Sequence, residues 1–290
     1  MCGIVGLHLR DPGLYPRLGT LLDAMLGQVV ERGPDSAGVA VYGDRRRCPE
    51  GYAAVSLLGA PQSLAQALPD ALITAAGDTT VVAAPLAPDA LTATVREAAP
   101  GARIVGSGTE LTVYKGTGHP RELSATYDLV NAQGWQGLAH TRMATESAVT
   151  PEGCHPFSVG DDQCLVHNGS FANHATIRRE LAAEGVQFDS ENDSEVGARF
   201  VASRLAQGED LEKALVALCE RFDGFYTLLV TNGNGFAVVR DAIACKPAII
   251  AETGTWVAMA SEFRALAVLP GIDEARIYEP EPERVYAWHR

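Results

Sequence analysis

The chain has 290 residues, of which 47% are hydrophobic, so it is long and apolar enough to bury one large core or two modest ones. Its 23 lysine and arginine residues face 36 aspartate and glutamate residues, and the net charge of -13 argues against nucleic-acid and anionic-membrane partners. No apolar run reaches the roughly 18 residues of a membrane span, and the N-terminus lacks the pattern of a secretory signal, so we expect a cytoplasmic protein.

The first elements are a short apolar strand at residues 2–9, an amphipathic helix at 18–30 and a second strand at 39–43. Between about residues 46 and 128 the pattern changes to that of a small α/β module. Its predicted elements are strands at 52–58 and 80–85, helices at 64–72 and 88–98, and two strands around Ile104 and Val113.

Strands and turns dominate again from residue 137 up to the segment His167-Asn168-Gly169. Helices and then short strands separated by Gly, Asn or Asp turns are predicted to follow. The helices are placed at 172–184, 194–207 and 211–221, and the strands at 226–230, 236–240, 248–251 and 256–260.

The six cysteines are scattered and form no CxxC pair, which argues against a zinc ribbon, an iron–sulfur cluster or a disulfide scaffold. Cys164 lies three residues before His167, and Cys154 adjoins His155, but the spacing offers no further ligands. We therefore predict no metal site and no cofactor in this chain.

Cys2 would carry both a thiol and a free α-amino group once Met1 is removed. An α-amino group has an ordinary pKa of about 8 and a thiol one of about 8.5, so the amine, directly or through one water, can accept the thiol proton. Cys2 is then a nucleophile with its own base. The alternative from the sequence is an ordinary buried residue of the first strand.

Three further segments carry groups suited to an active site. Arg142 ends a predicted strand, where its planar guanidinium can hold a carboxylate. Asn168 offers an amide and Gly169 a backbone N–H, the donors that an oxyanion hole uses. Asp193 precedes a predicted helix and serves either as its N-cap or as a partner for a substrate ammonium. Singly, each also fits a structural role, as a surface ion pair, a turn or a cap.

Taken in order, these segments resemble the class II glutamine amidotransferases, which are N-terminal nucleophile hydrolases. The matching motifs are MCGI at 1–4, RGPDSAG at 32–38, HTRMAT at 140–145, HNG at 167–169 and DSE at 193–195. The resemblance implies an α+β fold, a four-layer α-β-β-α sandwich with Cys2 at the end of a central strand. It implies one amidotransferase domain over residues 2–290, interrupted by the inserted α/β module at about 46–128.

The resemblance also implies roles for individual residues. Cys2, Asn168 and Gly169 are assigned to catalysis, with the last two binding the oxyanion. Arg142 is assigned to the glutamine α-carboxylate and Asp193 to its α-amino group.

Four further residues belong to the predicted site or its surroundings. Thr145 shares the arginine segment and is expected to bind substrate. Arg32 and His167 are expected to support the site, although a structural salt bridge fits Arg32 equally well. Glu146 stands where amino-sugar-forming relatives usually have His, and it either alters amine recognition or faces away.

The implied reaction is hydrolysis of glutamine to glutamate and ammonia through a Cys2 thioester. The chain contains no P-loop or dinucleotide fingerprint, so the ammonia acceptor is expected on a separate polypeptide of a hetero-oligomer. The architecture looks most like the free-standing amidotransferase subunit of glutamate synthase-like enzymes, including N-methylglutamate synthase, whose partner subunit carries flavin and iron–sulfur clusters. A stand-alone γ-glutamyl amide hydrolase and a non-catalytic glutamine-binding regulatory subunit are the alternatives.

Overall fold

The computed structural model describes residues 2–143 and 149–290, so Thr145 and Glu146 of the predicted site lie outside the described residues. The strands in chain order are β1 (Gly3–Leu9), β2 (Ser36–Tyr42), β3 (Ala53–Leu58), β4 (Leu72–Ala76), β5 (Thr79–Ala84), β6 (Arg103–Gly108), β7 (Leu111–Thr117), β8 (Gln136–Arg142), β9 (Cys164–Phe171), β10 (Gly224–Thr231), β11 (Gly235–Arg240), β12 (Ile249–Glu252), β13 (Trp256–Ala260), β14 (Arg276–Tyr278) and β15 (Tyr286–His289). The helices are α1 (Leu18–Gly27), α2 (Leu64–Ala67), α3 (Pro88–Ala98), α4 (Pro120–Thr126), α5 (His174–Ala183), α6 (Asp193–Ala206), α7 (Leu211–Arg221) and α8 (Phe263–Leu266).

Two antiparallel sheets form the centre of the molecule. One has the order β14-β12-β13-β1-β8-β2-β7, and the other has the order β15-β11-β10-β9. Their facing sides share an apolar core that includes Ile4, Val166 and Phe236. Every residue of β1 is buried, because this strand lies inside the larger sheet and is covered on both faces.

Helices cover the outer face of each sheet. On the larger sheet, α1 packs its apolar side against alternate residues of β1, as in the cluster that joins Leu22 to Val5 and Leu7. On the smaller sheet, α5, α6 and α7 enclose a separate apolar cluster with β9, β10 and β11. The four layers are therefore helix, sheet, sheet and helix, and the predicted α-β-β-α sandwich is confirmed.

A third sheet, with the order β4-β5-β3-β6, belongs to the inserted module. Together with α2 and α3 it encloses its own core around Leu57, Val82 and Val95. The module is shorter than the predicted 46–128, since β7 pairs along its whole length with β2 of the larger sheet and α4 packs on α1. The apolar alternation of β7 fits either sheet, so the local pattern does not reveal which one it joins.

Two further differences concern this part of the chain. The helix predicted at 64–72 ends at Ala67, and the next strand, β4, was not predicted; it forms a hairpin with β5. Tertiary pairing has overridden a weak local preference here. None of the helices within the described residues has the length and apolar character needed to cross a membrane.

Candidate active site

Cys2 lies immediately before β1. The two neighbouring strands, β8 and β13, run antiparallel to β1 and end beside Cys2. Gly3 pairs with Thr141 of β8, so Cys2 lies beside Arg142 on the adjacent strand. On the other side, the Ile4 N–H donates to Ser261 Oγ at 2.9 Å. The Cys2 side chain is half-buried and its thiol is free. The nucleophile predicted from the sequence thus lies at the end of a central strand.

Two side chains hold the backbone carbonyl of Cys2. Arg32 Nε donates to it at 2.9 Å, and Asn168 Nδ2 lies 3.4 Å away. The Arg32 guanidinium also pairs with Glu262 Oε1 at 2.9 Å, and its side chain is only 11% exposed. The Arg32 side chain is therefore salt-bridged and also contacts the backbone of Cys2. Glu262 was missed in the sequence, where an acidic residue after a strand gives no signal of a partner 230 positions away.

The predicted oxyanion donors lie on β9, in the smaller sheet. Asn168 is buried, and its amide faces the backbone of Cys2. Gly169 has φ of 144°, and an added Cβ would lie 2.0 Å from the carbonyl oxygen of Phe225 on β10. Only glycine fits this close approach of two strands. Glycine is thus required at position 169, where the backbone presents the predicted N–H donor.

Arg142 ends β8, where it is held by the RGPDSAG segment. The Asp35 N–H donates to the Arg142 carbonyl at 3.2 Å, and an added Cβ on Gly33 would lie 2.5 Å from the Arg142 backbone. The guanidinium donates to the Gly153 carbonyl at 3.0 Å. Two motifs more than 100 residues apart in the sequence therefore form one unit at this strand end.

Asp193 is the first residue of α6, and it is not the helix cap. The cap is Asn192, whose side chain accepts the Ser194 N–H at 2.9 Å. Asp193 Oδ2 instead accepts the N–H of Phe171 at 2.9 Å, at the end of the strand that carries Asn168. The N-cap alternative is therefore wrong, and the carboxylate is fixed against β9.

The third residue of the DSE motif, Glu195, has a structural place. This buried carboxylate accepts the backbone N–H groups of Asp189 and Ser190, and it pairs with Arg199 at 3.0 Å. These hydrogen bonds and the Arg199 guanidinium oppose the effect of burial and hold the pKa of Glu195 below its ordinary value. Glu195 thus anchors the loop that precedes α6.

Three buried histidines, His140, His155 and His167, form a cluster next to these residues. The rings of His140 and His155 stack at 4.1 Å between centroids, and His167 stacks on Phe171 at 4.4 Å. Burial lowers the pKa of all three, to about 3 for His140, so the rings are neutral near pH 7. His167 was expected near the site, whereas His155 was considered only as a metal ligand. Among the described residues, no group of three or more His, Cys, Asp or Glu is arranged to hold a metal ion.

The structure thus brings the predicted residues of the described chain to one region. Cys2 and Arg142 lie on adjacent strands, Asn168 reaches Cys2 from the second sheet, and Asp193 is bonded to the end of that second strand. This region therefore carries a thiol, an amide donor, a guanidinium and a carboxylate. Such a set can attack a carbonyl carbon, bind the resulting oxyanion and recognise a zwitterionic substrate.

Comparison with known proteins identifies relatives of this chain. The model of a family described as "Glutamine amidotransferase domain" matches residues 140–268. The glutamine amidotransferase-like protein GlxB of Rhizobium meliloti (strain 1021) is 47% identical over 298 residues, covering 99% of this chain and 98% of that protein. A putative glutamine amidotransferase of Methanothermobacter thermautotrophicus is 28% identical over 312 residues, covering 99% of both.

Solved structures add support for the fold. The glutamine phosphoribosylpyrophosphate amidotransferase from B. subtilis aligns with a TM-score of 0.61 at 18% identity. The alignment covers 99% of this chain and 49% of that one. At this identity the likeness concerns the fold alone.

Proposed function

The chain belongs to the glutamine amidotransferase family, and on that premise we propose that it hydrolyses glutamine to glutamate and ammonia through a thioester on Cys2. The observation that carries the proposal is the contact between Asn168 Nδ2 and the Cys2 carbonyl, 3.4 Å apart, beside Arg142 on the neighbouring strand. It brings an amide donor against the backbone of Cys2, whose thiol is free and half-buried, with Arg142 on the adjacent strand.

In the proposed cycle, the Cys2 thiolate attacks the carbon of the glutamine side-chain amide. Asn168 Nδ2 and the Gly169 N–H donate to the oxyanion that forms, and its collapse breaks the C–N bond and releases ammonia. Water then attacks the thioester carbon, glutamate leaves and the thiol is restored. The Cys2 α-amine, exposed after removal of Met1, accepts the thiol proton and passes it to the leaving nitrogen.

Substrate recognition is assigned to the two charged groups at the far end of the site. Arg142 binds the glutamine α-carboxylate, and Asp193 binds its α-ammonium. Thr145, in the same segment as Arg142, is proposed as a further substrate-binding residue. A glutamine within a peptide lacks one or both of these charges, so free glutamine is the expected substrate.

The proposal is tested by measuring glutamate and ammonia release with Cys2→Ala. The matched control is Cys245→Ala, because Cys245 is an exposed free thiol. We expect no measurable turnover in the first variant and unchanged turnover in the second. Full activity of Cys2→Ala would contradict the mechanism. Intact mass of the active protein should show loss of Met1, and rapid acid quenching should trap a γ-glutamyl adduct on Cys2.

The second part of the proposal concerns the ammonia. We infer that this chain works in a cytoplasmic hetero-oligomer and passes ammonia to a synthase subunit of the glutamate synthase-like or N-methylglutamate synthase type, which carries flavin and iron–sulfur clusters. The resemblance of the motif order and inserted module to such subunits supports it. Purification from the native cell with mass spectrometry of co-eluting subunits tests it. Full-rate ammonia release by the chain alone would instead favour a stand-alone γ-glutamyl amide hydrolase.

A further inference from the structure

The hydroxyl of Ser194 joins two buried histidines to the carboxylate of Asp193. Its Oγ lies 2.8 Å from His167 Nδ1, 3.0 Å from His155 Nε2 and 3.4 Å from Asp193 Oδ1. All three polar side chains around Ser194 are thus within hydrogen-bond distance of a single oxygen atom. A serine hydroxyl supplies one proton and accepts two, so the contacts can all be satisfied in only a few ways.

The second nitrogen of each ring shows which arrangement of hydrogen bonds applies. His155 Nδ1 and His167 Nε2 are buried and have no hydrogen-bond partner within the described residues. A neutral imidazole carries one N–H, and a buried donor without a partner is rarer than a buried acceptor without one. Each ring therefore has its proton on the nitrogen that faces Ser194.

With both rings donating, the two lone pairs of Ser194 Oγ are occupied. Its own proton is left for an acceptor, and Asp193 Oδ1 is the acceptor within reach. The other carboxylate oxygen, Oδ2, already accepts the N–H of Phe171 at 2.9 Å. Both oxygens of Asp193 are thus oriented, which fixes the carboxylate plane and leaves its outer lone pairs for a ligand.

We propose that Ser194, oriented by His155 and His167, is a positioning residue that holds Asp193 for the α-ammonium of glutamine. The inference rests on the proposed function, since it deepens the assignment of Asp193. His167 directly precedes Asn168 on β9, so the same hydrogen bonds tie the ammonium-binding carboxylate to the strand that carries the oxyanion amide. The cluster therefore sets the spacing between the two ends of the bound substrate.

The kinetic test compares Ser194→Ala with Ser194→Thr, which keeps the hydroxyl. Loss of an orienting hydrogen bond to a charged group should raise KM for glutamine about tenfold in Ser194→Ala. Because chemistry at Cys2 is untouched, kcat should stay within about threefold, and Ser194→Thr should restore most of the KM. Ser203→Ala is the matched control, since this serine lies on the same helix and donates to the Phe200 carbonyl.

Two further readouts separate positioning from general damage. Alkylation of Cys2 by iodoacetamide, which needs no α-ammonium, should proceed in Ser194→Ala at the normal rate. In an Asp193→Asn background, Ser194→Ala should raise KM no further, because the group it orients is already gone. If Ser194→Ala is insoluble, Ser194→Cys carries the same measurements with a weaker donor.

Nitrogen-15 NMR of the imidazole groups tests the hydrogen-bond directions without any assay of activity. His155 should be protonated on Nε2 and His167 on Nδ1. The opposite tautomer at either ring, an unchanged KM in Ser194→Ala, or independent effects of the Ser194 and Asp193 substitutions would overturn the inference. The proposed function fails separately, if Cys2→Ala keeps its glutaminase activity.

Discussion

Mild acid is expected to destabilise this protein through buried histidines, chiefly the clustered His140, His155 and His167 and also His8 of β1. In the unfolded chain each ring has its ordinary pKa of about 6.5, whereas burial lowers the pKa in the folded state. Lys115 and Arg142 lower the pKa of His140 and His155 further. Well above pH 6.5 the rings are neutral in both states, so they contribute nothing to the pH dependence of stability. Below it, only the unfolded chain takes up protons, so stability falls as the pH falls.

The magnitude follows from this difference in proton binding. Between about pH 7.5 and pH 5.5, a histidine that stays neutral in the folded state and has an ordinary pKa when unfolded costs about 1.4 kcal/mol. Three such rings cost about 4 kcal/mol, a large part of the 5–15 kcal/mol that ordinarily separates folded from unfolded protein. The Asp193 carboxylate opposes the loss at His167, whereas the burial of His8 adds to the loss, so about 4 kcal/mol is the value expected from the three clustered rings.

Urea unfolding at the two pH values, followed by fluorescence, measures the free energy of unfolding directly. The ordinary pKa values of Asp and Glu, about 4, lie below this range, so we expect the histidines to dominate the change. His155→Gln should reduce the drop by about 1.4 kcal/mol. Leu181→Ala, a substitution in the helical layer, should lower stability equally at both pH values. A free energy that changes by less than about 1 kcal/mol in the unsubstituted protein would refute the reasoning.

Three further substitutions test the local structure of the site. Gly169→Ala places a Cβ 2.0 Å from a carbonyl oxygen. It should lower the free energy of unfolding by several kcal/mol and kcat by about a hundredfold, as measured by urea unfolding and a glutaminase assay. Gly185→Ala is the control, because its added Cβ meets open space, and it should lower the free energy of unfolding by only about 1 kcal/mol. Arg32→Lys keeps the charge but cannot contact the Cys2 carbonyl and Glu262 at once. We therefore expect kcat to fall about tenfold with little change in KM. A kcat equal to that of the unsubstituted protein would show that these contacts are structural only. Glu195→Gln breaks a buried ion pair and should lower the free energy of unfolding by about 3 kcal/mol in urea titrations, and a loss below 1 kcal/mol would contradict the anchoring role.

The sequence predicted the layers better than it predicted their boundaries. Apolar periodicity located α1 and the central strand correctly, because each buries a regular face. It missed β4, and it did not reveal that β7, a strand predicted around Val113, pairs with β2 of the larger sheet. Register and sheet membership depend on contacts between distant segments, and a local pattern contains no information about these.

The same distinction holds for the candidate site. Residues whose chemistry is visible in the chain, such as Cys2, Arg142 and Asn168, were predicted and lie together. Ser194 and Glu262 were not singled out, since their significance comes only from partners that folding brings near. Thr145 and Glu146 lie outside the described residues, and their roles stay predictions.

Hydrogen bonds to the backbone around Cys2 explain why the motifs contain so many residues without reactive groups. Each reactive side chain is held through backbone contacts: the Cys2 carbonyl by Arg32, the Arg142 carbonyl by the Asp35 N–H, and the Phe171 N–H by Asp193. Hydrogen bonds of this kind tolerate little displacement, because they weaken steeply when their distance and angle depart from ideal values. Glycine at 33 and 169 then becomes a requirement of packing, since any larger residue would push apart the segments that carry the donors. The positions of the reactive groups are therefore set by the strand ends that carry them.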